Sequence, residues 1–313
     1  MELKLGIKSD PIQYRYSHPW LFSLLNELDI RYVQLGSFFE LYSVEDGFFK
    51  DLRKQAEKKE IRIKSCFTTH RELGGFFTGN PYLERAARIN YKRYIHVASL
   101  LGADYIGSNP GTVYRDRMEY KQAGIDCYLK HMKELAVIAH AKGLKGLTIE
   151  PMSSSIEPPS FPGEYDYMLG ELNRFYAAHS DTAVPVYLCG DISHGLADAS
   201  GRVLHSHMEL FEHGIPNMAE FHFKNTDGMF KATFGFSPEE RERGIVDVDE
   251  VIATVYRRAS DWPVDEVVGY YETGGPKMGR DYSDPLLREQ LTESLLYLKE
   301  RMKAHEAALK EQV

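Results

Sequence analysis

The chain has 313 residues, 43% hydrophobic and 27% charged, which is enough apolar material for a large core without disulfide help. Its formal net charge of −8 counts against a protein that grips nucleic acid by neutralising phosphates, although a small phosphorylated substrate would need only a few local cations. Cys66, Cys127 and Cys189 are scattered, with no C-x-x-C pair, no run of 18 apolar residues occurs, and the start MELKLGIKSDP is unlike a signal peptide, so the expectation is a soluble, cytoplasmic protein that neither spans a membrane nor binds nucleic acid.

Short β-branched runs alternate with longer amphipathic ones. The strand-like runs are Lys4–Lys8, Arg31–Leu35, Ile61–Cys66, Tyr105–Ser108, Gly146–Glu150, Val184–Cys189, Ala219–Lys224 and Glu266–Glu272. Between them, Leu83–Leu101 and Tyr128–Ala141 carry the clearest three- and four-residue apolar spacing, and Gly102 and Gly143 stand where those helices should stop. Pro151–Gly163 and Thr226–Gly244 read as long loops after the fifth and seventh strands. Asp284-Pro285 reads as the start of a last helix through Leu286, Leu287, Leu295, Leu296 and Leu298, with an exposed, frayed end over Lys299–Val313. Eight strands, each followed by a helix, predict one α/β domain over residues 1–313, a (β/α)8 TIM barrel. A doubly wound sheet is the alternative, but the G-x-G-x-x-G turn after the first strand is missing.

In such a barrel the C-terminal strand ends converge on the axis. Glu150 closes LTIE, Asp191 follows VYLCG, His222 lies within EFHFK and Glu272 closes VVGYYE, so four residues far apart in sequence are placed to share one cation. Singly, each acid reads as a helix cap or ion-pair partner, and the histidine as a hydrogen-bonded core residue. Three carboxylates and one imidazole suit Mn²⁺, Mg²⁺ or Co²⁺, with Zn²⁺ also open. His194, in D-I-S-H, falls beside them as a neutral imidazole able to donate to a substrate oxygen.

The same rim carries cations fitted to an anionic substrate: Lys224, Lys231, Arg241 and Arg243 after strand seven, Arg115 and Arg117 after strand four, Lys277 and Arg280 after strand eight. Lys231–Val246 reads as a lid supplying Lys231 and Arg243, and Ser108 and Asn109 close strand four among the candidate substrate contacts. Trp20, Phe38, Phe39 and Phe67 are candidate pocket walls, with His70 as pocket lining. Glu157, Glu164 and Asp166 read as solvated loop charges, and His205, His207 and His213 as surface or capping residues.

The motifs LTIEP, GDISHG, EFHFKNTDG and YYETGG resemble the xylose-isomerase-like barrel superfamily, and within it the D-tagatose 3-epimerase-like sugar and sugar-phosphate epimerases and isomerases. The resemblance implies that Glu150, Asp191, His222 and Glu272 bind a divalent metal, usually manganese. It also implies that His194 contacts substrate and that the two glutamates transfer protons. A narrower resemblance, to a branch linked with tetrulose phosphates, rests on IEPMSSSIEPP, HFKNTDGMFKATFGF, RGIVD and GGPKMGRDYSD. One departure is the insertion Thr226–Gly244, which stands where tagatose- and psicose-type enzymes have a compact arginine segment and makes Arg243, ahead of Arg241, the expected clamp.

Together these features predict an epimerase or isomerase of a ketose or ketose phosphate, with tetrulose or pentulose phosphates favoured. Its proton transfers would run through a cis-enediolate whose charge a divalent ion offsets. The alternatives are a metal-dependent lyase or hydrolase of oxidised glycosides, an abasic-site endonuclease, and a non-catalytic sugar-binding barrel. No interface signal is legible, so a homo-oligomer stays open.

Overall fold

In the computed structural model, residues 1–36, 38, 40–68, 73–274 and 285–311 are described. Eight strands are β1 (Glu2–Lys8), β2 (Tyr32–Leu35), β3 (Arg62–Thr68), β4 (Tyr105–Ser108), β5 (Gly146–Ile149), β6 (Val186–Asp191), β7 (Met218–Phe223) and β8 (Glu266–Tyr271). They close into a barrel in the order β1-β8-β7-β6-β5-β4-β3-β2, every neighbouring pair parallel. Closure excludes the doubly wound sheet. All eight runs expected from the sequence overlap a barrel strand.

The helices outside are α1 (His18–Glu27), α2 (Asp46–Glu57), α3 (Pro81–Leu101), α4 (Lys121–Ala141), α5 (Pro162–Ala178), α6 (His207–Gly214), α7 (Pro238–Arg243), α8 (Val248–Arg257) and α9 (Leu287–Glu311). Local chemistry sets their ends. The Asn80 side chain accepts from the Tyr82 and Leu83 N–H groups at the start of α3, and Gly102 stops it at φ +71°. Helix α8 buries Val248, Val251, Ile252 and Val255, the i, i+3, i+4, i+7 face, and each stabilises the helix–sheet contact by about 1.5–3 kcal/mol relative to exposure. Helix α4 begins seven residues before the expected Tyr128, because buried Gly124, against the Phe77 ring, breaks the apolar pattern without breaking the helix.

Two segments, the expected loop Thr226–Gly244 and the expected frayed end of the last helix, are more ordered than their composition suggests. After β7, Asn225 pairs with Phe234, Asp227 caps the turn at Met229 and Lys231, and a Ser237–Glu240 capping box opens α7. The C-terminal segment stays helical through Glu311, since Met302 is buried and Arg301 bonds Asp249 through two nitrogens at 2.6 Å each. A short antiparallel pair, Leu196–Ala197 with Val203–His205, follows β6 and was not legible in the sequence. No helix among the described residues is long and apolar enough to cross a membrane.

Candidate metal centre

Glu150 is the first residue past β5, Asp191 the last of β6, His222 lies in β7 as the register partner of Asp191, and Glu272 is the first residue past β8. Barrel closure gathers them: one ligand-type atom from each lies within 4.8 Å of the others. His222 Nδ1 is 2.9 Å from Glu150 Oε1, 3.1 Å from Glu272 Oε2 and 4.0 Å from Asp191 Oδ2. The His222 and Asp191 side chains are fully buried, and Glu272 keeps 13% exposure. Four side chains chosen by their place at strand ends therefore share one mouth.

Each acid is held. Asn109 Nδ2 donates to Glu150 Oε2, which leaves Oε1 toward His222. The Ser193 N–H and hydroxyl donate to Asp191 Oδ1 at 2.8 and 2.7 Å, leaving Oδ2 free to face inward. Lys8 Nζ lies 2.6 Å from Glu272 Oε1 and 3.1 Å from Asp10 Oδ2. On the far side Lys224 Nζ lies 2.5 Å from Asp191 Oδ2 and 3.6 Å from Glu272 Oε2.

This packing dictates the protonation states. Burial alone would raise the Glu272 carboxyl, but Lys8, His222 and Lys224 hold it well below the usual carboxylate range. Burial likewise opposes ionisation of Asp191, and the Lys224 ammonium beside it reverses this. Burial alone would lower the Lys8 ammonium, yet Asp10, Glu272 and Glu150 keep it charged and push its pKa well up. For His222, burial is outweighed by Cys189, Glu272 and Glu150, which raise the imidazole well above its ordinary value.

Gly36 makes room for Asp10, since a Cβ there would come within 1.6 Å of the Asp10 carboxylate oxygen. Lys8→Met is expected to cost about 3–5 kcal/mol, because it takes from Asp10 its ammonium partner and from Glu272 the nearest of its cations. Urea unfolding of the metal-free protein measures this. A loss below about 1 kcal/mol would mean that the pair behaves as a solvent-screened surface pair.

The residues fit a divalent cation on two observations. Asp191 Oδ2 and Glu272 Oε2 are buried and accept no hydrogen bond of acceptable geometry, as open ligand positions would be. In addition, once His222 gives up a proton, as a ligand must, the carboxylates of Asp10, Glu150, Asp191 and Glu272 face two ammonium groups, Lys8 and Lys224, leaving an excess of two negative charges that a divalent ion neutralises. Glu150, Asp191, His222 and Glu272 would hold it, an oxygen-rich set with one nitrogen.

The remaining expected residues divide. Lys224 joins the cluster, and so does His194. The His194 Nδ1–H donates to the Pro151 carbonyl at 2.7 Å, so the neutral ring turns Nε2 as an acceptor toward Lys224 Nζ, 2.9 Å away. The donor beside the centre is therefore Lys224, where the sequence reading had placed a donating imidazole. Ser108 is corrected as a substrate contact: its hydroxyl meets Tyr91 in the helix layer at 3.0 Å, because Asn109, not Ser108, takes the inward side of the pleat.

Arg243 and Lys231 are exposed, and the Arg243 guanidinium lies 4.5 Å over the Phe234 ring. Arg241 stacks on Tyr297 and Arg117 on Tyr120. Glu164 is not solvated: it is buried, accepts from Ser160 N and Oγ, and pairs with Lys121. His205 and His213 pair with Glu209 and Asp166 at the surface, and His207 is partly buried. Phe67 walls the centre, edge-on to His222 at 5.2 Å between centroids. Phe39, His70, Lys277, Arg280 and the cap residue Asp284 lie outside the described residues.

Lys8, Asp10, Gln34 and Glu220 were missed. Lys8 closes β1 as Glu150 follows β5, and the strand-end rule applied to LGIK would have found it. Glu220 stands two residues before His222, hence on the same lumen face. A second group of ligand-type side chains, Glu84, Cys127 and His131, lies between α3 and α4, where His131 Nε2 meets Glu84 Oε1 at 2.6 Å as a tie between helices.

No protein-family model matches the sequence, and no curated protein matches it. Solved structures of the same shape include sugar 3-epimerases and a protein named for xylose isomerase. A Rhodospirillum rubrum protein provisionally named as a xylose isomerase has a TM-score of 0.73 at 19% identity, covering 95% of this chain and 98% of its own. A D-psicose 3-epimerase from Clostridium cellulolyticum H10, solved with D-tagatose, has a TM-score of 0.69 at 14% identity over 96% of this chain and 99% of its own. An L-ribulose 3-epimerase has a TM-score of 0.68 at 11% identity over 99% of this chain and 97% of its own. The likeness shows a shared fold over nearly the whole chain.

Proposed function

We propose that this chain is a cytoplasmic, divalent-metal-dependent epimerase or isomerase of a ketose or ketose phosphate. The observation that carries the reading is the convergence of two glutamates from non-adjacent strand ends, Glu150 and Glu272, on one buried point with Asp191 and His222. Names borne by structures of this shape, D-psicose 3-epimerase and L-ribulose 3-epimerase among them, support the substrate class. The oxygen-rich donor set supports Mn²⁺ first.

A divalent cation bound by these four residues supplies Lewis-acid polarisation of a ketose carbonyl, which acidifies the hydrogen on the adjoining carbon. The rest falls to the chain. One glutamate takes that proton, and the other returns one to the opposite face of the planar enediolate, inverting the centre. Asn109 aims Glu150, and Lys8 holds Glu272 ionised until it acts. Lys224 is placed to donate to a substrate oxygen, with His194 fixing its direction from the Pro151 carbonyl. Burial of the pair excludes bulk water, which would otherwise reprotonate either face.

Carbon 3 of the ketose is the proposed site of inversion. Beside Asp10, a cavity of about 150 Å³ lined by Ser9, Ile12, Tyr16, His18, Gly36 and Phe38 supplies an apolar wall for the carbon chain; burial there pushes the His18 imidazole down to about 4, so the ring is neutral. The exposed Lys231 and Arg243 after β7, with Arg115 and Arg117 after β4, supply cations for a phosphate, which makes tetrulose and pentulose phosphates the first substrates to try.

Incubation of these and of free ketoses with Mn²⁺ in D₂O, followed by NMR, tests the reading. Deuterium at carbon 3 of an inverted but intact skeleton is expected. Cleavage of the substrate would replace epimerase by lyase, and no exchange with any ketose would overturn the proposal.

A further inference from the structure

We propose that Gln34 sets the tautomer of His222 and thereby presents its Nδ1 to the cation, an inference that rests on reading Glu150, Asp191, His222 and Glu272 as a metal centre. The bonds behind it run across the barrel lumen, out of contact with solvent. Gln34, Ser65, Thr148 and His222 are fully buried, and Glu220 nearly so.

The order begins at Glu220. Its Oε1 receives the Ser65 hydroxyl at 3.0 Å and the Thr148 hydroxyl at 2.9 Å. A serine has one hydroxyl proton, so Ser65, having given it to Glu220, can only accept from its other neighbour. That neighbour is Gln34, whose Nε2 lies 3.4 Å from Ser65 Oγ and 3.9 Å from Cys189 Sγ. Turned over, the amide would set its oxygen against a hydroxyl oxygen whose proton is already committed, and two lone pairs would meet in a dry interior.

The Gln34 Oε1 atom therefore faces His222, 2.8 Å from Nε2. An amide oxygen only accepts, so Nε2 keeps its proton, and the proton given up when a cation binds comes from Nδ1, which then presents its lone pair. Nδ1 is the atom that faces Glu150, Glu272 and Asp191. Phe67, edge-on to the ring, holds the imidazole plane while Gln34 sets the proton. Gln34 is thus a positioning residue that acts through His222, and outer-shell partners of this kind govern how tightly a metal is held.

Calorimetric titration of the purified full chain with Zn²⁺ tests it, with circular dichroism confirming that each variant is folded. Gln34→Leu, similar in length but without an acceptor, is expected to weaken Zn²⁺ binding about 10- to 100-fold. Gln34→Glu, buried and therefore protonated, can donate its O–H to Ser65 and still turn a carbonyl oxygen toward Nε2, and should restore it to within about threefold of wild type. Ser65→Ala, a smaller change that releases the amide from its fixed direction, should weaken binding by more than about threefold. Long-range ¹H–¹⁵N spectra of the Zn²⁺-loaded wild-type protein should show His222 protonated at Nε2 only.

A Gln34→Leu protein that binds Zn²⁺ as wild type does, a Gln34→Glu protein as weak as Gln34→Leu, a Ser65→Ala protein that binds as wild type does, or a His222 ring protonated at Nδ1 would each overturn the assignment while leaving the metal centre standing. Failure of the wild-type chain to bind Zn²⁺ at all would instead remove the centre, and this inference with it.

Discussion

Glu150→Gln and Glu272→Gln are each expected to fold as the parent does and to lose about 10²- to 10⁴-fold in turnover. The amide matches the carboxylate in shape but cannot take up a proton from carbon. Both changes also reduce the negative excess of the cluster, so neither adds an unpaired buried charge of the kind that unfolds proteins. Glu272→Gln still leaves Lys8 its partner Asp10 at 3.1 Å, and Glu150→Gln still leaves Asn109 an amide oxygen to bond.

Because both residues are also expected ligands, rates belong at saturating Mn²⁺, with thermal unfolding run in parallel. If the glutamates act on opposite faces, each variant should still exchange substrate hydrogen with D₂O from one face only, at a rate set by the glutamate that remains. Turnover within about tenfold of the parent in either variant would remove that residue from the acid–base role.

Dialysis against EDTA is expected to abolish activity, and Mn²⁺ to restore it. The physical ground is the pair of buried carboxylate oxygens, Asp191 Oδ2 and Glu272 Oε2, that face the centre without a well-directed hydrogen bond, although Lys224 lies beside them. Returning the ion should also raise the unfolding free energy, by about 2.7 kcal/mol when its free concentration is a hundred times the dissociation constant. Full activity in a chelated sample shown by mass spectrometry to be free of metal would sink the metal role. Loss of activity without recovery in Mn²⁺, but with recovery in Co²⁺ or Mg²⁺, would keep the centre and change the ion.

The barrel and its four converging residues were legible for one reason. Strands buried on both faces read as short β-branched runs, and in a parallel barrel every such run ends at the same pole. Looking at and around the ends of LTIE, VYLCG, EFHFK and YYE was therefore enough to pick Glu150, Asp191, His222 and Glu272, and the types of these four residues argued for oxygen-loving metals. Lys224 and His194 followed from the same count.

Other features depended on facts that no local stretch contains. Lys8 meets Glu272 across 264 residues only because β1 pairs with β8 to close the sheet. Gln34 reaches His222, and Ser65 reaches Glu220, across the lumen, between strands that are not neighbours. The difference between Ser108, turned to Tyr91, and Asn109, turned to Glu150, is a matter of pleat parity. A four-residue strand buried on both faces carries no polar alternation to reveal which side is in. Chain order and residue type settled which groups stand at the mouth; closure of the ring and the side each residue takes settled which of them touch.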